Sequence, residues 1–400
     1  MRTVAIDGIP VGDGHPPRVM GVLNMSGESN YGPSVYPDPE TAATYVEEMV
    51  EDGADIVDVG LQSANPKNPW LPESTESERL DEAVAVMEAT DVDVPFSIET
   101  RYASVADEAL ASGFDMVNDV CGFADSDMPE VVEAHDVPVV KMASPPDVKR
   151  PGHLTDVDAI FEALSRGGFT DQTIIDPAFG GWYDERTYED NWELFRRLRE
   201  FRAFGRPILT ATNREDFLGD IADRPKTKEQ LPVSLAAATM EVERGAHIIR
   251  THDVAETRDV IQVAHFLGND GANETVGTET KSTRGNETEL TSTTVTELTG
   301  VTEGEIARTL SLKTERSNVD SSESTTRAFQ IAPLPEDSAE SLADWAVDAG
   351  LLVAGGADDG LFLAGTTGRF RDALESSVPS TGEASTVIGR IRQAVLDDGD

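Results

Sequence analysis

Length, composition and charge restrict the kinds of protein that this chain can be. The 400 residues include 75 acidic but only 32 basic side chains, which gives a formal net charge of −43. No basic stripe interrupts this acidity, so the sequence argues against a nucleic-acid-binding protein. The acidity fits either a basic partner protein or a salt-rich cytoplasm, where ions screen the self-repulsion of the chain. Its spread over most helical segments, without an acidic tail, favours the halophilic explanation.

Cysteine usage and hydropathy indicate the cellular compartment. The single cysteine, Cys121, excludes a disulfide framework and a cysteine-based zinc site within one chain. No charged-then-apolar signal opens the sequence, and no apolar run approaches the roughly 18 residues that a membrane helix needs. We therefore expect a soluble, cytoplasmic protein that does not enter a membrane.

Short apolar runs alternate with amphipathic stretches between residues 18 and 268. The runs predict eight strands: Arg18–Met25, Asp55–Leu61, Phe96–Thr100, Met116–Val120, Val139–Ala143, Thr173–Phe179, Pro207–Asn213 and His247–Asp253. The stretches between them predict helices: Pro39–Asp52, Ser77–Ala89, Ala103–Ser112, Met128–His135, Val157–Arg166, Glu189–Phe204, Val233–Arg244 and Ala255–Leu267. Eight strand-then-helix units predict an α/β protein with a (β/α)₈ barrel, the TIM barrel.

An open, doubly wound parallel sheet is the alternative architecture. That fold usually has fewer units and a glycine-rich turn after its first strand. Here the first strand ends Leu23-Asn-Met-Ser-Gly-Glu-Ser, which is not a dinucleotide-binding turn, and no phosphate-binding P-loop motif occurs. The pattern therefore favours the barrel.

The composition changes after the last barrel unit, and it predicts three regions. Residues 1–268 form the barrel. Residues 269–327, rich in Thr, Glu and Ser, are predicted to be a flexible acidic linker, with a transient helix at Glu303–Leu312 as its one exception. Residues 328–400 regain an apolar pattern that predicts a small α+β appendage, whose role the sequence does not reveal.

Polar side chains recur where the predicted strands end. In a parallel barrel these carboxyl ends meet on one face, where barrel enzymes place their active sites. In chain order the strand ends carry Asn24, Asp58 with Gln62, Glu99, Asn118-Asp119, Lys141-Met142, Asp176, Asn213-Arg214-Glu215, and Arg250 with His252. Arg250 and His252 are two apart on one strand, so both point the same way and could hold an anion such as phosphate.

Each of these residues also has an ordinary explanation. Asp176 precedes a proline and could start a turn. Asn118 and Asp119 could cap a turn or a helix, and Arg250 could pair with an acidic neighbour. The succession of polar strand ends, rather than any single residue, indicates a functional site.

Seven motifs at these strand ends resemble the dihydropteroate synthase family of pterin-binding barrels. They are GVLNMS (21–26), DIVDVGLQSANP (55–66), FSIETR (96–101), MVNDVCGF (116–123), IIDPAFGG (174–181), GRPILTATNREDFLG (205–219) and RTHDVAET (250–257). They follow the family order over about 250 residues, and the last 130 or so lie outside the resemblance.

The resemblance implies a transferase of folate biosynthesis that joins a dihydropterin, activated as its hydroxymethyl diphosphate, to 4-aminobenzoate. It implies that Asn24 helps to hold Mg²⁺ and the diphosphate, and that Arg250 and His252 bind the anion. Asn118 and Asp176 would hold the pterin, with Met142 against the ring.

Other positions receive less specific expectations from the resemblance. Glu99 stands where the family has an aspartate, and Asp58 has a supporting part. Gln62 and Asn65 belong to the loop that contributes to the aminobenzoate site. Cys121 is expected to be a packing residue, and a homodimer is possible because barrels of this family often pair.

Two departures from the family pattern bear on function. Glu215 replaces a lysine that donates to the pterin, and an ionised carboxylate cannot donate; neighbouring Arg214 is a candidate to compensate. Ala64 and Asn65 replace a threonine and an arginine of the second loop. Three hypotheses follow: an active synthase for 4-aminobenzoate or a related arylamine, a pterin-dependent methyltransferase, and a non-catalytic pterin-binding paralogue.

Overall fold

The computed structural model describes most of the chain. The described residues are 2–27, 32–36, 38–63, 68, 70–180, 183, 185–268, 276–284, 287–295, 302–312, 326–331, 334–357, 360–376, 378–379 and 382–396. They divide into two compact units, Met1–Thr299 and Gly300–Asp400, which we describe separately.

A parallel barrel forms the centre of the first unit. Eight of its described strands make one sheet: β3 (Arg18–Asn24), β4 (Ile56–Gly60), β5 (Phe96–Thr100), β6 (Met116–Asp119), β7 (Val139–Met142), β8 (Thr173–Asp176), β9 (Leu209–Thr210) and β10 (Ile248–Thr251). The sheet order is β8-β7-β6-β5-β4-β3-β10-β9, and a parallel bridge between Ile175 and Ile208 joins the two edges. The predicted (β/α)₈ barrel is confirmed.

Helices follow the strands along the first unit. They are α1 (Pro39–Glu51), α2 (Glu73–Ala89), α3 (Ala103–Ala111), α4 (Met128–Ala134), α5 (Val157–Ser165), α6 (Tyr188–Arg196), α7 (Asp216–Ile221), α8 (Leu231–Glu243) and α9 (Val254–Leu267). Short 3₁₀ turns lie at Gly32–Ser34, Leu198–Phe204 and Thr227–Glu229. Side chains from the strands and from α1, α2, α3 and α9 share one buried apolar cluster, as expected when helices cover a parallel sheet.

A small hairpin closes the amino-terminal end of the barrel. Strands β1 (Val4–Ile6) and β2 (Ile9–Val11) pair antiparallel through a tight turn in which Asp7 and Gly8 both have positive φ. Aspartate and glycine suit such a turn because both tolerate the left-handed conformation. Val4, Ile6 and Val11 pack against the strand side chains inside the barrel, such as Met20 and Met116.

The Thr- and Glu-rich segment contains more regular structure than the sequence predicts. Strands β11 (Val276–Arg284) and β12 (Glu287–Val295) pair antiparallel, and both fall in the first unit. Threonine and valine, which are frequent there, favour strands because of their branched Cβ. Helix α10 (Glu303–Leu312) has the bounds that the sequence predicts and falls in the second unit.

The remainder of the second unit is a small α+β fold, as predicted. Its elements are β13 (Thr326–Ile331), α11 (Glu336–Asp348), β14 (Leu352–Gly356), β15 (Gly360–Thr366), α12 (Thr367–Glu375) and α13 (Gly382–Leu396). The strands form an antiparallel sheet in the order β13-β15-β14. Leu342, Trp345, Leu363 and Phe370 are among the buried residues of its core.

Among the described residues, no helix has both the length and the apolar character needed to span a membrane.

Candidate functional site

Arg250 lies at the centre of a polar network on the carboxyl side of the barrel. Its Nε donates to Asp58 Oδ2 over 2.7 Å, and its Nη2 donates to Glu99 Oε2 over 2.6 Å. Asp58 is fully buried, whereas the Arg250 side chain is 18% exposed. The guanidinium therefore neutralises two carboxylates from neighbouring strands and still reaches solvent.

Asn118 joins the same network from strand β6. Its Nδ2 donates to Asp58 Oδ2 over 3.0 Å, so this oxygen receives bonds from both Asn118 and Arg250. The other oxygen, Oδ1, is buried and has no hydrogen-bond partner among the described residues. Asp58 thus holds two side chains in fixed positions, which fits the supporting part expected of it.

Asp176 ends strand β8 beside Met142, its register partner on β7. The Ala178 backbone N–H donates to Asp176 Oδ1 over 2.7 Å. Burial raises the pKa of Asp176 to about 6, and the charges of Arg250 and Arg186 act in the opposite direction. Both side chains are about 95% buried, so a flat ring placed here would meet one carboxylate and one apolar surface.

Glu99 has an unusual proton affinity for a carboxyl group. Burial raises its pKa to about 7; the neighbouring Arg250 lowers it, and Asp58 raises it further. The Glu99 carboxyl group therefore gains or loses its proton near neutral pH.

His252 follows strand β10 and faces a different neighbour from Arg250. Its Nδ1 lies 2.6 Å from Ser34 Oγ, and its backbone N–H donates to Asn213 Oδ1 over 3.1 Å. Burial, together with the positive charge of Arg250, lowers the pKa of His252 to about 3. The expected anion pair is thus one permanent cation and one neutral imidazole.

Asn24 ends strand β3 at the edge of the network. A Cβ built on Gly60 would lie 3.4 Å from Asn24 Oδ1 and 3.9 Å from Glu99 Oε1, so both oxygens border the Gly60 position. A Cβ at this position would make ordinary van der Waals contacts with both oxygens. Within the described part of the chain, no cluster of three or more His, Cys, Asp or Glu side chains has the geometry of a metal site.

Gln62 and Arg214 make contacts that the strand-end pattern did not predict. Gln62 Nε2 donates to Glu76 Oε2 on α2, and the Gln62 side-chain oxygen accepts from the Leu71 backbone N–H over 3.3 Å. Arg214 donates from Nε and Nη2 to the two oxygens of Asp253 over 2.8 and 2.7 Å. Gln62 thus links the loop after β4 to α2, and Arg214 forms a two-bond ion pair with Asp253.

Glu215 stands immediately before α7, and its charge acts on Arg186. Arg186 was not predicted as a site residue, because its only sequence signal is a cation ten residues beyond Asp176. It is buried, and the capping box of α6, in which Thr187 and Asp190 exchange hydrogen bonds, fixes the backbone next to it. Asn65, the remaining predicted site residue, lies outside the described residues, as does Ala64.

Three strand-end residues are structural. Lys141 points away from the barrel interior and donates to three backbone carbonyl groups around the end of α5. Asp119 accepts from the backbone N–H groups of Cys121, Gly122 and Phe123. Burial raises the pKa of the Cys121 thiol, which fits the expected packing residue rather than a nucleophile.

Comparison with known proteins agrees with this geometry. Residues 20–252 match the family model described as pterin binding enzyme. The chain is 31% identical to the dihydropteroate synthase of Bacillus subtilis over 63% of this chain and 89% of that protein. It is 32% identical to a probable bifunctional folylpolyglutamate synthase/dihydropteroate synthase of Halobacterium salinarum, over 66% of this chain but 34% of that protein.

A solved structure of a dihydropteroate synthase is also similar to this chain. A dihydropteroate synthase from Coxiella burnetii in complex with pteroic acid superimposes with a TM-score of 0.56 and 31% identity, over 66% of this chain and 98% of that one. The matched residues are those of the barrel and of its carboxyl-end network. The chain therefore belongs to the pterin-binding enzymes, and among them to the dihydropteroate synthase family.

Proposed function

We propose that the chain joins a dihydropterin, activated as its hydroxymethyl diphosphate, to 4-aminobenzoate or a related arylamine. The observation that carries the proposal is the network in which Arg250 bonds Asp58 and Glu99 while Asn118 bonds the same Asp58 oxygen. It brings an anion-binding cation within the electrostatic reach of Asp176. A substrate with a flat polar ring and a diphosphate needs both kinds of group in one pocket.

Asp176 and Asn118 are proposed to hold the pterin ring. A pterin presents an amino group and a ring N–H side by side, and one carboxylate can accept from both. Among the described residues, Asp176 Oδ2 accepts no hydrogen bond, which leaves it available to a ligand. Met142, buried beside Asp176, would provide the apolar surface beneath the ring.

Arg250 and His252 are proposed to bind the diphosphate. Two of the Arg250 nitrogens bond carboxylates, which leaves Nη1 for a phosphate oxygen. A diphosphate would also favour protonation of His252, since a nearby anion opposes the effects of burial and of Arg250. The leaving group would then be held by the Arg250 cation and by a hydrogen bond from His252.

Mg²⁺ fits this side of the pocket. Asn24 Oδ1 is an oxygen donor, the kind that Mg²⁺ prefers, and it borders the same space as a Glu99 oxygen. Asn24 would hold the ion together with substrate phosphates and water, and the ion would supply positive charge to the departing diphosphate. Because Mg²⁺ usually keeps several waters, one or two protein ligands suffice.

The proposed reaction requires the protein to position two reactants and to stabilise a leaving group. The arylamine nitrogen attacks the methylene carbon of the pterin, and the C–O bond breaks with its electron pair leaving on diphosphate. The nitrogen then loses its proton. The contribution of the protein is to hold the amine and the methylene carbon in line while Arg250 stabilises the charge that develops on the diphosphate.

A turnover assay tests the proposal. Purified protein is incubated in high salt with Mg²⁺, dihydropterin hydroxymethyl diphosphate and 4-aminobenzoate, and dihydropteroate and diphosphate are quantified. The proposal predicts both products in equal amounts. Binding of the pterin without turnover, also with related arylamines, would favour the non-catalytic paralogue for which Glu215 is the supporting feature.

A further inference from the structure

Arg186 is buried with most of its hydrogen-bonding capacity unused. The residue is 5% exposed, and its Nη1 donates to the Ala178 carbonyl oxygen over 2.5 Å. Its Nε and Nη2 are buried and have no hydrogen-bond partner among the described residues. A buried guanidinium that leaves two donors unsatisfied is costly, so this arrangement points to a missing acceptor.

The two free nitrogens have a defined geometry. Nε–H and Nη2–H lie on the same edge of the planar guanidinium and point in parallel, which is the fork that binds two adjacent acceptors. The hydrogen bond from Nη1 to Ala178 leaves that edge free. The ligand that fits is therefore a group with two neighbouring acceptor atoms.

The Ala178 backbone connects Arg186 to Asp176, the carboxylate proposed to bind the pterin. The Ala178 N–H donates to Asp176 Oδ1 over 2.7 Å, while its carbonyl oxygen accepts from Arg186. Ala178 has a φ of 61°, a left-handed conformation that is strained for a residue with a Cβ. The backbone of this one residue therefore bonds an acceptor side chain through its N–H and a donor side chain through its carbonyl oxygen.

Three carboxylates, one of them Asp176, act on the charge of Arg186. Glu215, Asp190 and Asp176 are the carboxylates whose charges favour the Arg186 cation, against the burial that lowers its pKa to about 10. Glu215 contributes the largest of these charge effects. The carboxylate that stands in the place of the family lysine thus stabilises a different cation.

We propose that Arg186 binds the carbonyl oxygen and the adjacent ring nitrogen of the dihydropterin through its Nε–Nη2 edge. This inference rests on the proposed function, and it adds a substrate-binding residue that makes Glu215 compatible with activity. Asp176 takes the donor edge of the ring and Arg186 takes the acceptor edge. Arg186, whose charge Glu215 stabilises, then supplies the cation that a lysine supplies in the family.

Binding of 6-hydroxymethyl-7,8-dihydropterin, measured by calorimetry, tests the assignment. Arg186→Gln is expected to weaken this binding about tenfold or more, because a charge-assisted pair of hydrogen bonds is lost. Binding of inorganic diphosphate with Mg²⁺ should stay within about twofold, since Arg250 is untouched. Arg206→Gln is the control: Arg206 is a partly buried arginine that likewise donates to backbone carbonyl groups, those of Thr170 and Asp171.

A rescue variant separates recognition from a structural role. In the double variant Arg186→Gln/Glu215→Lys, the lysine stands where the family has its donor, and dihydropterin binding should recover at least in part. Glu215→Lys alone should not improve binding, because the new lysine would repel Arg186. Arg186→Lys keeps the charge without the fork and should give an intermediate affinity, even if Arg186→Gln does not fold.

The outcomes are distinct. If the unmodified protein binds dihydropterin and turns over, but folded Arg186→Gln or Arg186→Lys binds it equally well, Arg186 is not part of the site and the synthase assignment stands. If the unmodified protein shows neither binding nor turnover, the proposed function fails, and this inference fails with it. Loss of binding without rescue by Glu215→Lys would mean that Arg186 only supports the loop.

Discussion

Arg250 is positioned between two carboxylates, and this placement gives it two tasks. It compensates the charges of Asp58 and Glu99, and under the proposed function its remaining nitrogen binds the diphosphate. Lysine would keep the charge but could not bond both carboxylates while reaching a phosphate.

We therefore predict that Arg250→Lys lowers kcat/KM about a hundredfold, which corresponds to about 2.7 kcal/mol of transition-state stabilisation. Steady-state kinetics on the diphosphate substrate measures this. Arg150→Lys is the control, because Arg150 is half exposed and pairs with Asp147 within one loop. Equal losses in both variants would contradict the role of Arg250.

Glu241 is a buried carboxyl group near the site whose ionisation should limit stability. It accepts hydrogen bonds from Thr210 Oγ1 over 2.9 Å and from Thr212 Oγ1 over 2.5 Å. Burial raises its pKa from 4.5 to about 7. The folded state therefore binds this proton more tightly than the unfolded state, so the contribution to stability is greatest below pH 4.5 and declines as pH rises towards 7.

Glu241→Gln should remove this decline, because the amide stays neutral. At pH 8 the variant is predicted to be more stable than the unmodified protein, by an amount on the order of 1 kcal/mol for each unit of pKa shift. Thermal unfolding between pH 5 and 8 measures the difference, with exposed Glu243→Gln on the same helix as the control. A constant difference between variant and parent across this range would be inconsistent with the prediction.

At the scale of elements, strand β7 shows how alternation separates structure from function. Met142 points towards the site, whereas its neighbour Lys141 is fully buried on the other side. Lys141 Nζ donates to the carbonyl oxygens of Leu164, Arg166 and Gly168 over 2.9, 2.5 and 2.9 Å. This cation satisfies carbonyl groups at the end of α5 and complements the helix dipole.

Lys141→Met is predicted to destabilise the fold by about 3 kcal/mol, because three carbonyl acceptors lose a charged donor. Dihydropterin affinity of the folded fraction should be unchanged. Chemical denaturation measures the first effect and calorimetry the second. Exposed Lys149→Met is the control, and a loss of pterin affinity at full stability would show that Lys141 acts in the site.

The elements were largely predictable because buried parallel strands have a strong hydrophobic signal. The amino-terminal hairpin was missed although Asp7-Gly8 between apolar residues is a recognisable turn signal. The predicted helix Glu189–Phe204 instead changes to a 3₁₀ segment at Leu198, a local change that periodicity does not encode.

The site was predictable only as far as strand ends determine it. Asp58, Glu99, Asn118 and Arg250 meet because they lie on strands of one barrel. The contacts of Gln62 with Glu76 and of Arg214 with Asp253 depend on partners from α2 and from another loop. Arg186 escaped prediction for the same reason, since its position depends on the path of the loop after Asp176.

At the scale of the whole molecule, the sequence and the structure place the end of the barrel unit at different residues. The sequence places the barrel in residues 1–268, whereas the first compact unit extends to Thr299 and includes β11 and β12. The network at the carboxyl ends lies within residues 1–268 in either case.

We predict that chains ending at residue 268 and at residue 299 both bind dihydropterin with the affinity of the full chain. Calorimetry on the two truncated proteins measures this, and their melting temperatures report on folding. If only the longer chain folds, β11 and β12 belong to the barrel unit. If both fold but neither binds, the second unit contributes to the site and the proposed division is wrong.

The central claim is that the strand ends form one pocket with a pterin side and a diphosphate side. A crystal structure of the protein with bound pteroic acid and diphosphate tests it most directly. The account predicts the pterin ring within hydrogen-bonding distance of Asp176 and Asn118, and diphosphate oxygens on Arg250. A pterin ring bound elsewhere, or a diphosphate that leaves Arg250 bonded only to Asp58 and Glu99, would contradict it.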